Sequence, residues 1–233
     1  MRSILLLLFY VLVSVPTALV LLPWTLLTRN ANPLLHAGLA ITRTGLRLVG
    51  IRPVVSGREN LPRVGGCIFM ANHVSNLDPP VVLPLLPIPT VVFLKRSLMK
   101  IPILGYAMHL AGFIPVSRDG SVEAAKQHVA EARAALAGGR NVLVFPEGTR
   151  SRDGRLLPFK KGPFHLAMES QAPVVPIAVT GTAALMPKGS LRLRVGRVGL
   201  HFHPPIVPAN YGTREELMAA VRAAIESEVG GGQ

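Results

Sequence analysis

Between Arg2 and Arg29 the chain carries no charged residue, and most positions are Leu, Val, Ile, Phe, Ala or Pro. A helix of that length reaches about 39 Å at ~1.5 Å per residue, enough to cross or deeply enter a bilayer core of ~30 Å. Pro16 and Pro23 interrupt the run, so a kinked or re-entrant segment is as well supported as a straight span. A cleaved secretory leader fits less well: "MRS" is a weak basic start, the apolar run is long, and no small-x-small site follows. Asn32 to Gly50 reads as a second helix. On it His36, Arg43 and Arg47 share one face of an otherwise apolar surface. That stripe suits an anionic lipid interface, and equally an ordinary solvated face.

From residue 51 the pattern changes to short apolar runs separated by helical stretches. Strands are expected at Pro53–Ser56, Cys67–Met70, Thr90–Leu94, Phe113–Val116, Val142–Phe145 and Val174–Val179, with one or two more in Leu191–His203. Helices are expected at Pro80–Leu86, Ile103–Leu110, Val122–Ala137, Pro163–Ser170 and Arg214–Glu228. The alternation predicts an α/β layer structure, a mixed sheet flanked by helices, with an N-terminal apolar membrane-associated helical motif. The expected division is 1–50 for the membrane-associated helices and 51–233 for the α/β domain.

Composition narrows the partners. The chain has 233 residues, 49% of them hydrophobic, which argues against a disordered chain. Its 25 Lys and Arg against 12 Asp and Glu give a formal net charge of +13, pointing to an anionic partner. Aromatic residues are only 5% and no nucleic-acid-binding signature occurs, so a nucleic-acid partner is not expected. A basic membrane-bound scaffold would explain the charge but not the motifs below. Cys67 is the sole cysteine, which excludes an intrachain disulfide framework and a Cys-based zinc site. Arg29, Arg43, Arg47, Arg52, Arg58 and Arg63 crowd one side of the apolar run, and the positive-inside bias then places the main domain in the cytoplasm, at the cell membrane.

Two stretches carry most of the chemistry. In "NHVSNLDPP", His73 stands five residues before Asp78. Asp78 before Pro79 reads as a helix N-cap, with His73 an incidental loop residue. Alternatively a strand-to-helix turn folds Asp78 back onto His73. The carboxylate then fixes the imidazole tautomer and leaves the other nitrogen free to take a proton. In "FPEGTRSRDGRLLPFKKG", Gly148 permits close backbone approach, Thr149 and Ser151 supply hydroxyls, and Arg150 supplies a planar fork matched to phosphate. Arg152, Arg155, Lys160 and Lys161 add positive potential, although the same loop could be merely solvated. "GFIPVSR" ends a short strand at Arg118. "APVVPIAVTG" reads as a buried strand. "FLKRSLMK" sets Lys95, Arg96 and Lys100 beside apolar residues, an arrangement that suits a lipid or phosphate surface or a solvated face. His201 and His203 share one side of a strand, but no third metal ligand is evident. No G-x-S-x-G elbow or P-loop occurs, which disfavours a serine acyl-enzyme.

Together, "NHVSNLD", "GFIPVSR", "FPEGTRS" and "VVPIAV", in that order and spacing, resemble the four blocks of the glycerolipid acyltransferases, specifically the 1-acyl-sn-glycerol-3-phosphate acyltransferases. "KRSLMKIPILGYAM" and "LPFKKGPFHLA" are similar as well. The resemblance covers roughly 52–207, and the second block departs slightly at Pro115 and Ser117. It implies acyl transfer from acyl-CoA or acyl-carrier protein to the free hydroxyl of lysophosphatidic acid, giving phosphatidic acid. It implies His73 as general base and Asp78 as its orienter, with no cofactor and no metal. Arg118 and Arg150 become the candidates for the acceptor phosphate, and Gly148 and Thr149 for the glycerol site. Glu147 would orient Arg150 or bind a glycerol hydroxyl, and Lys95 and Lys160 are secondary phosphate candidates. A related acyltransferase acting on glycerol 3-phosphate or another lyso-lipid is the nearest alternative.

Overall fold

A computed structural model describes residues 1–63, 65–116 and 122–229. Helix α1 (Arg2–Thr28) is continuous through Pro16 and Pro23, so neither proline ends it. Each proline removes one N–H from the helix ladder. The Thr17 and Thr25 hydroxyls add bonds to the Val13 and Leu21 carbonyls, each 2.7 Å, one turn back, so side chains support the backbone around both sites. Mean hydropathy is 2.7 over the apolar window, of which 6% is buried. By length and composition this helix can cross a membrane. Helix α2 (Asn32–Leu48) packs against it closely, because Gly45 lies under the Tyr10 ring.

The body is a seven-stranded sheet ordered β1-β7-β6-β2-β5-β3-β4. The strands are β1 (Ile51–Ser56), β2 (Ile68–Ala71), β3 (Thr90–Lys95), β4 (Ile114–Val116), β5 (Asn141–Val144), β6 (Val174–Thr180) and β7 (Gly196–Phe202). All neighbours are parallel except β6 and β7, so the sheet is mixed as expected. The helices of the body are α3 (Asp78–Val82), α4 (Leu104–Leu110), α5 (Val122–Ala137), α6 (Lys161–Ser170), α7 (Thr182–Leu185) and α8 (Arg214–Val229). The stretch expected as one helix from Pro80 to Leu86 divides into α3 and a 3₁₀ turn, Leu83–Leu85, with Pro84 inside it. Helix α7 is too short for the apolar pattern to announce.

Period-two alternation assigns the strands to two cores. Phe69, Leu143, Val175 and Ile177 face one way, against Leu46 and Val49 at the end of α2 and Val81 and Val82 of α3. Ile68, Met70, Val142, Val144 and Val174 face the other, against α5, α6 and α8. Both faces are covered, which is why these strands read as unbroken apolar runs. Phe69, Phe164 and Phe202 are fully buried, and truncating any of them to Ala should cost about 3–5 kcal/mol.

Candidate active site

Strand β2 lies between β5 and β6. All three run in one direction, so the loops leaving their carboxyl ends meet at one edge of the sheet, the usual place for a ligand site in an open α/β sheet. The first residue past β2 is the buried Asn72. Its amide accepts from the Val179 N–H at 2.7 Å and donates to the Val179 carbonyl at 2.9 Å, extending the β2–β6 ladder with a side chain.

His73 comes next. Its Nδ1 lies 2.7 Å from Asp78 Oδ2, and the side chain retains 17% exposure while Asp78 has none. The same carboxylate oxygen accepts from the N–H groups of Val74 and Ser75 at 2.7 and 2.8 Å, and Oδ1 accepts from the Thr182 hydroxyl at 2.5 Å. An ionised carboxylate only accepts, so His73 Nδ1 is the protonated nitrogen and the Nε2 lone pair is left free. The N-cap account of Asp78 does not hold: its carboxylate turns back to the preceding loop and makes no capping bond to its own helix. Phe145 stacks on the imidazole with centroids 4.4 Å apart, fixing the ring plane.

Glu147 is 1% exposed. Its Oε1 accepts from the His73 N–H at 2.6 Å and its Oε2 from the Leu157 N–H at 2.9 Å. Burial pushes its carboxyl above the ordinary glutamate range, and those two N–H donors pull it back only in part. Glu147 thus braces the backbone of His73. The expectation that it orients Arg150 does not hold: both carboxylate oxygens are taken by backbone, and no hydrogen bond or ion pair joins the two side chains.

Gly148 follows with a φ of +66°, and a Cβ there would stand 3.3 Å from Lys160 Cγ. Only glycine turns the chain this way without strain. Thr149 and Arg150 are half-buried on the same turn. The loop is held from below at two points. The Ser151 N–H donates to the His73 carbonyl at 2.8 Å, which joins the loop to the β2 end through backbone alone. Lys188 Nζ donates to the Arg150 carbonyl at 2.6 Å. The Arg150 guanidinium itself has no partner among the described residues.

The remaining expected residues are placed less centrally. Lys160 is exposed and its stem lies against Gly148. Lys95 is exposed at the carboxyl end of β3, on the same sheet edge as His73 but one strand beyond β5. Among the described residues no hydrogen bond or ion pair ties it to the centre. Arg118 lies outside the described residues. Three contributors fall outside the sequence expectations: Asn72, Thr182 and Ser75. The Ser75 hydroxyl donates to the Met186 carbonyl at 2.7 Å and so holds the end of α7 to the site. The Asn next to the His is visible in the sequence, but nothing local marks Thr182, which stands 104 residues from the carboxylate it serves.

The thiol and the paired histidines are the other candidate reactive groups. Cys67 lies at the opposite end of β2, and burial pushes its thiol up to about 12, so it is no nucleophile. His201 and His203 have ring centroids 4.4 Å apart, but among the described residues no group of three potential metal ligands occurs.

What remains is an imidazole fixed at Nδ1 and free at Nε2, beside a loop whose guanidinium has no partner among the described residues. Residues 52–180 match the family profile described as Acyltransferase. A 1-acyl-sn-glycerol-3-phosphate acyltransferase of Limnanthes douglasii is 36% identical over 186 residues, a match covering 80% of this chain and 65% of that protein. The chain therefore spans just under two thirds of that relative's length. One of Borreliella burgdorferi is 30% identical over 188 residues, covering 80% of this chain and 75% of that one. The crystal structure of the 1-acyl-sn-glycerophosphate acyltransferase of Thermotoga maritima superposes with a TM-score of 0.80 at 28% identity, over 98% of this chain and 96% of that one. The fold, the buried His–Asp pair and these likenesses together establish that the chain belongs to the acyltransferase family.

Proposed function

We propose that the protein transfers an acyl group from acyl-CoA or acyl-carrier protein to the sn-2 hydroxyl of 1-acyl-sn-glycerol 3-phosphate, giving phosphatidic acid for phospholipid biosynthesis. The observation that carries this reading is the 2.7 Å contact from His73 Nδ1 to the fully buried Asp78, with Nε2 left free. Nε2 accepts the proton of the acceptor hydroxyl as that oxygen attacks the thioester carbonyl. The tetrahedral oxyanion collapses, the C–S bond breaks, and the imidazolium returns its proton to the departing thiolate. No covalent enzyme intermediate is needed, because a thiolate is already a good leaving group. General-base assistance of this kind is typically worth about 10²–10⁴-fold.

Asp78 orients the imidazole and stabilises the imidazolium that forms. Arg150 and Arg118 hold the acceptor phosphate, with Lys95 and Lys160 as weaker contributors; Gly148 and Thr149 shape the glycerol site. Glu147 keeps the His73 backbone in place. Residues 1–50 form the membrane-associated unit and 51–233 the acyl-transfer domain. The protein sits at the cell membrane with that domain on the cytoplasmic side, where both the lipid acceptor and a soluble donor reach it. The support is the apolar α1 and the basic residues that follow it.

The test is thiol release from acyl-CoA by the full-length protein in lipid vesicles, with and without lysophosphatidic acid. Release should require the acceptor and yield phosphatidic acid. Acceptor-independent release would sink the transfer reading, and a higher kcat/KM with glycerol 3-phosphate would move the acceptor assignment.

A further inference from the structure

On the same sheet edge as His73, but off the site itself, β3 runs into a 3₁₀ turn (Arg96–Lys100) and then α4. The segment is built rather than loose. Gly105 is buried, and a Cβ there would lie 2.1 Å from the Met99 carbonyl oxygen, so the turn and the first turn of α4 press together through backbone. Ile103 is held at a φ of +64°, a conformation rare for a β-branched residue. Yet this ordered segment turns its large apolar side chains outward. Leu98, Ile101, Ile103, Leu104 and Tyr106 are all between 36% and 46% exposed. Leu98 and Ile101 are three apart, which a 3₁₀ turn places on one side.

A cluster of outward apolar residues on an ordered turn marks a contact surface. Two observations say what covers it. Its charges are of one sign: Lys95, Arg96 and Lys100 are basic, and no Asp or Glu occurs between Asp78 and Asp119. It also adjoins α1, which touches α4 and is the one helix among the described residues long and apolar enough to cross a membrane. Apolar side chains and a tyrosine ringed by basic residues, next to a lipid-embedded helix, are the composition of an interfacial anchor.

We propose that the segment from Arg96 to Tyr106 is a second bilayer contact, in which Leu98, Ile101, Ile103 and Leu104 enter the headgroup–acyl boundary of an anionic leaflet. With α1 it makes a two-point attachment. One helix alone would leave the body free to swing; the second contact sets the carboxyl edge of the sheet, and with it His73, against the lipid. The inference rests on the membrane reading of α1, and the experiment separates the two.

Trp24, in α1, is the only tryptophan, so a second reporter can be read cleanly. The native chain and a Trp24→Phe, Ile101→Trp variant are reconstituted in phosphatidylcholine–phosphatidylglycerol vesicles with brominated acyl chains. The expected result is blue-shifted emission at position 101, quenched more by lipid brominated near the carbonyl than near the terminal methyl. A Trp24→Phe, Leu98→Trp variant should behave alike and guards against a local folding defect at 101. Replacing Arg96 and Lys100 with Gln should weaken the quenching at 101 and leave Trp24 in the native background unaffected. Emission at the water-exposed maximum, unquenched, at both 98 and 101 while native Trp24 is quenched would overturn the second contact and keep α1 in lipid. A blue shift without lipid quenching would overturn it too, pointing to a protein partner or a second copy. Absence of quenching at all three positions would overturn the reading of α1 as well.

Discussion

The corner around Asp78 and the loop from Gly148 to Lys160 lie side by side at one sheet edge and are built on opposite terms. In the corner the polar groups other than His73 Nε2 find their partners inside the chain. Asp78 alone receives four hydrogen bonds, from His73, Val74, Ser75 and Thr182. In the loop the backbone is tied down, through the Ser151 N–H and the Arg150 carbonyl, while the cationic side chains are left unpaired or merely solvent-exposed. Arg155 shows how loose those pairings are: the Asp153 carboxylate is 3.9 Å away and both side chains are exposed, so the contact is worth little. The difference fits the proposed division of labour. A base must be aimed before the substrate arrives, so internal and permanent neighbours suit that role. Donors left free suit a phosphate receptor, whose partner would come with the ligand.

The sharpest way to break the contrast is to remove the base. His73→Ala should lower kcat by about 10²–10⁴-fold, the usual worth of general-base help, with a modest loss of stability, because Asp78 Oδ2 loses one donor but keeps the Val74 and Ser75 N–H groups. A variant that retains a near-normal rate would end the assignment. The second-largest effect is expected across the divide, at Arg150. A lysine there keeps the charge but not the two-pronged geometry. Arg150→Lys should raise the acceptor KM roughly tenfold, the equivalent of about 1.4 kcal/mol, and leave stability within about 0.5 kcal/mol, as for most surface changes. Unchanged KM and kcat would remove Arg150 from the receptor.

Thr182→Val tests the corner from the side least visible in the sequence. The replacement keeps the shape and deletes the donor to Asp78 Oδ1. Leaving a buried carboxylate oxygen short of a partner typically costs about 1–3 kcal/mol, more where the group is charged, so stability should fall clearly. kcat should drop by less than in His73→Ala, since Nδ1 keeps its own bond to Oδ2. Stability equal to that of the parent chain would mean that the hydroxyl does not matter to the corner.

How far the sequence foretells these two regions follows from the same physics. The loop is readable almost residue by residue, because its features are local: a glycine at a turn, hydroxyls, a guanidinium, lysines. The alternating strands and helices are readable too, since their apolar runs are short and well separated. The corner is only half legible. His73 and Asp78 stand close in sequence, but the carboxylate has a second plausible use as a cap, and only the tertiary fold decides between them. Thr182 sits on a four-residue helix with no periodicity to announce it, and its contact exists only because β6 lies beside β2. In α1 the two prolines leave a kinked or re-entrant segment and a straight span equally open; the helix runs on through both, with threonine hydroxyls bonded to carbonyls one turn back.

Glu147 belongs to both regions, and it offers the smallest and most discriminating effect. One oxygen holds the His73 N–H in the corner, and the other holds the Leu157 N–H at the far side of the loop. Its carboxyl titrates above the ordinary glutamate range because burial outweighs those two donors. A carboxyl raised on folding binds its proton more tightly in the folded chain. The contribution of Glu147 to stability is therefore greatest below the ordinary glutamate value and is lost as pH rises through the raised folded value. Glu147→Gln removes that titration and should flatten the stability–pH profile across this window, as read by denaturant melts at a series of pH values. It also exchanges one acceptor for an NH₂ group that must face either the His73 or the Leu157 N–H, so one of the two braces is lost at every pH. If the brace to His73 is the one that breaks, kcat falls with the acceptor KM unchanged. If the brace to Leu157 breaks, the loop loosens and KM rises with kcat unchanged. A variant with the parent profile and parent kinetics would show that the corner and the loop hold their positions without this shared carboxylate.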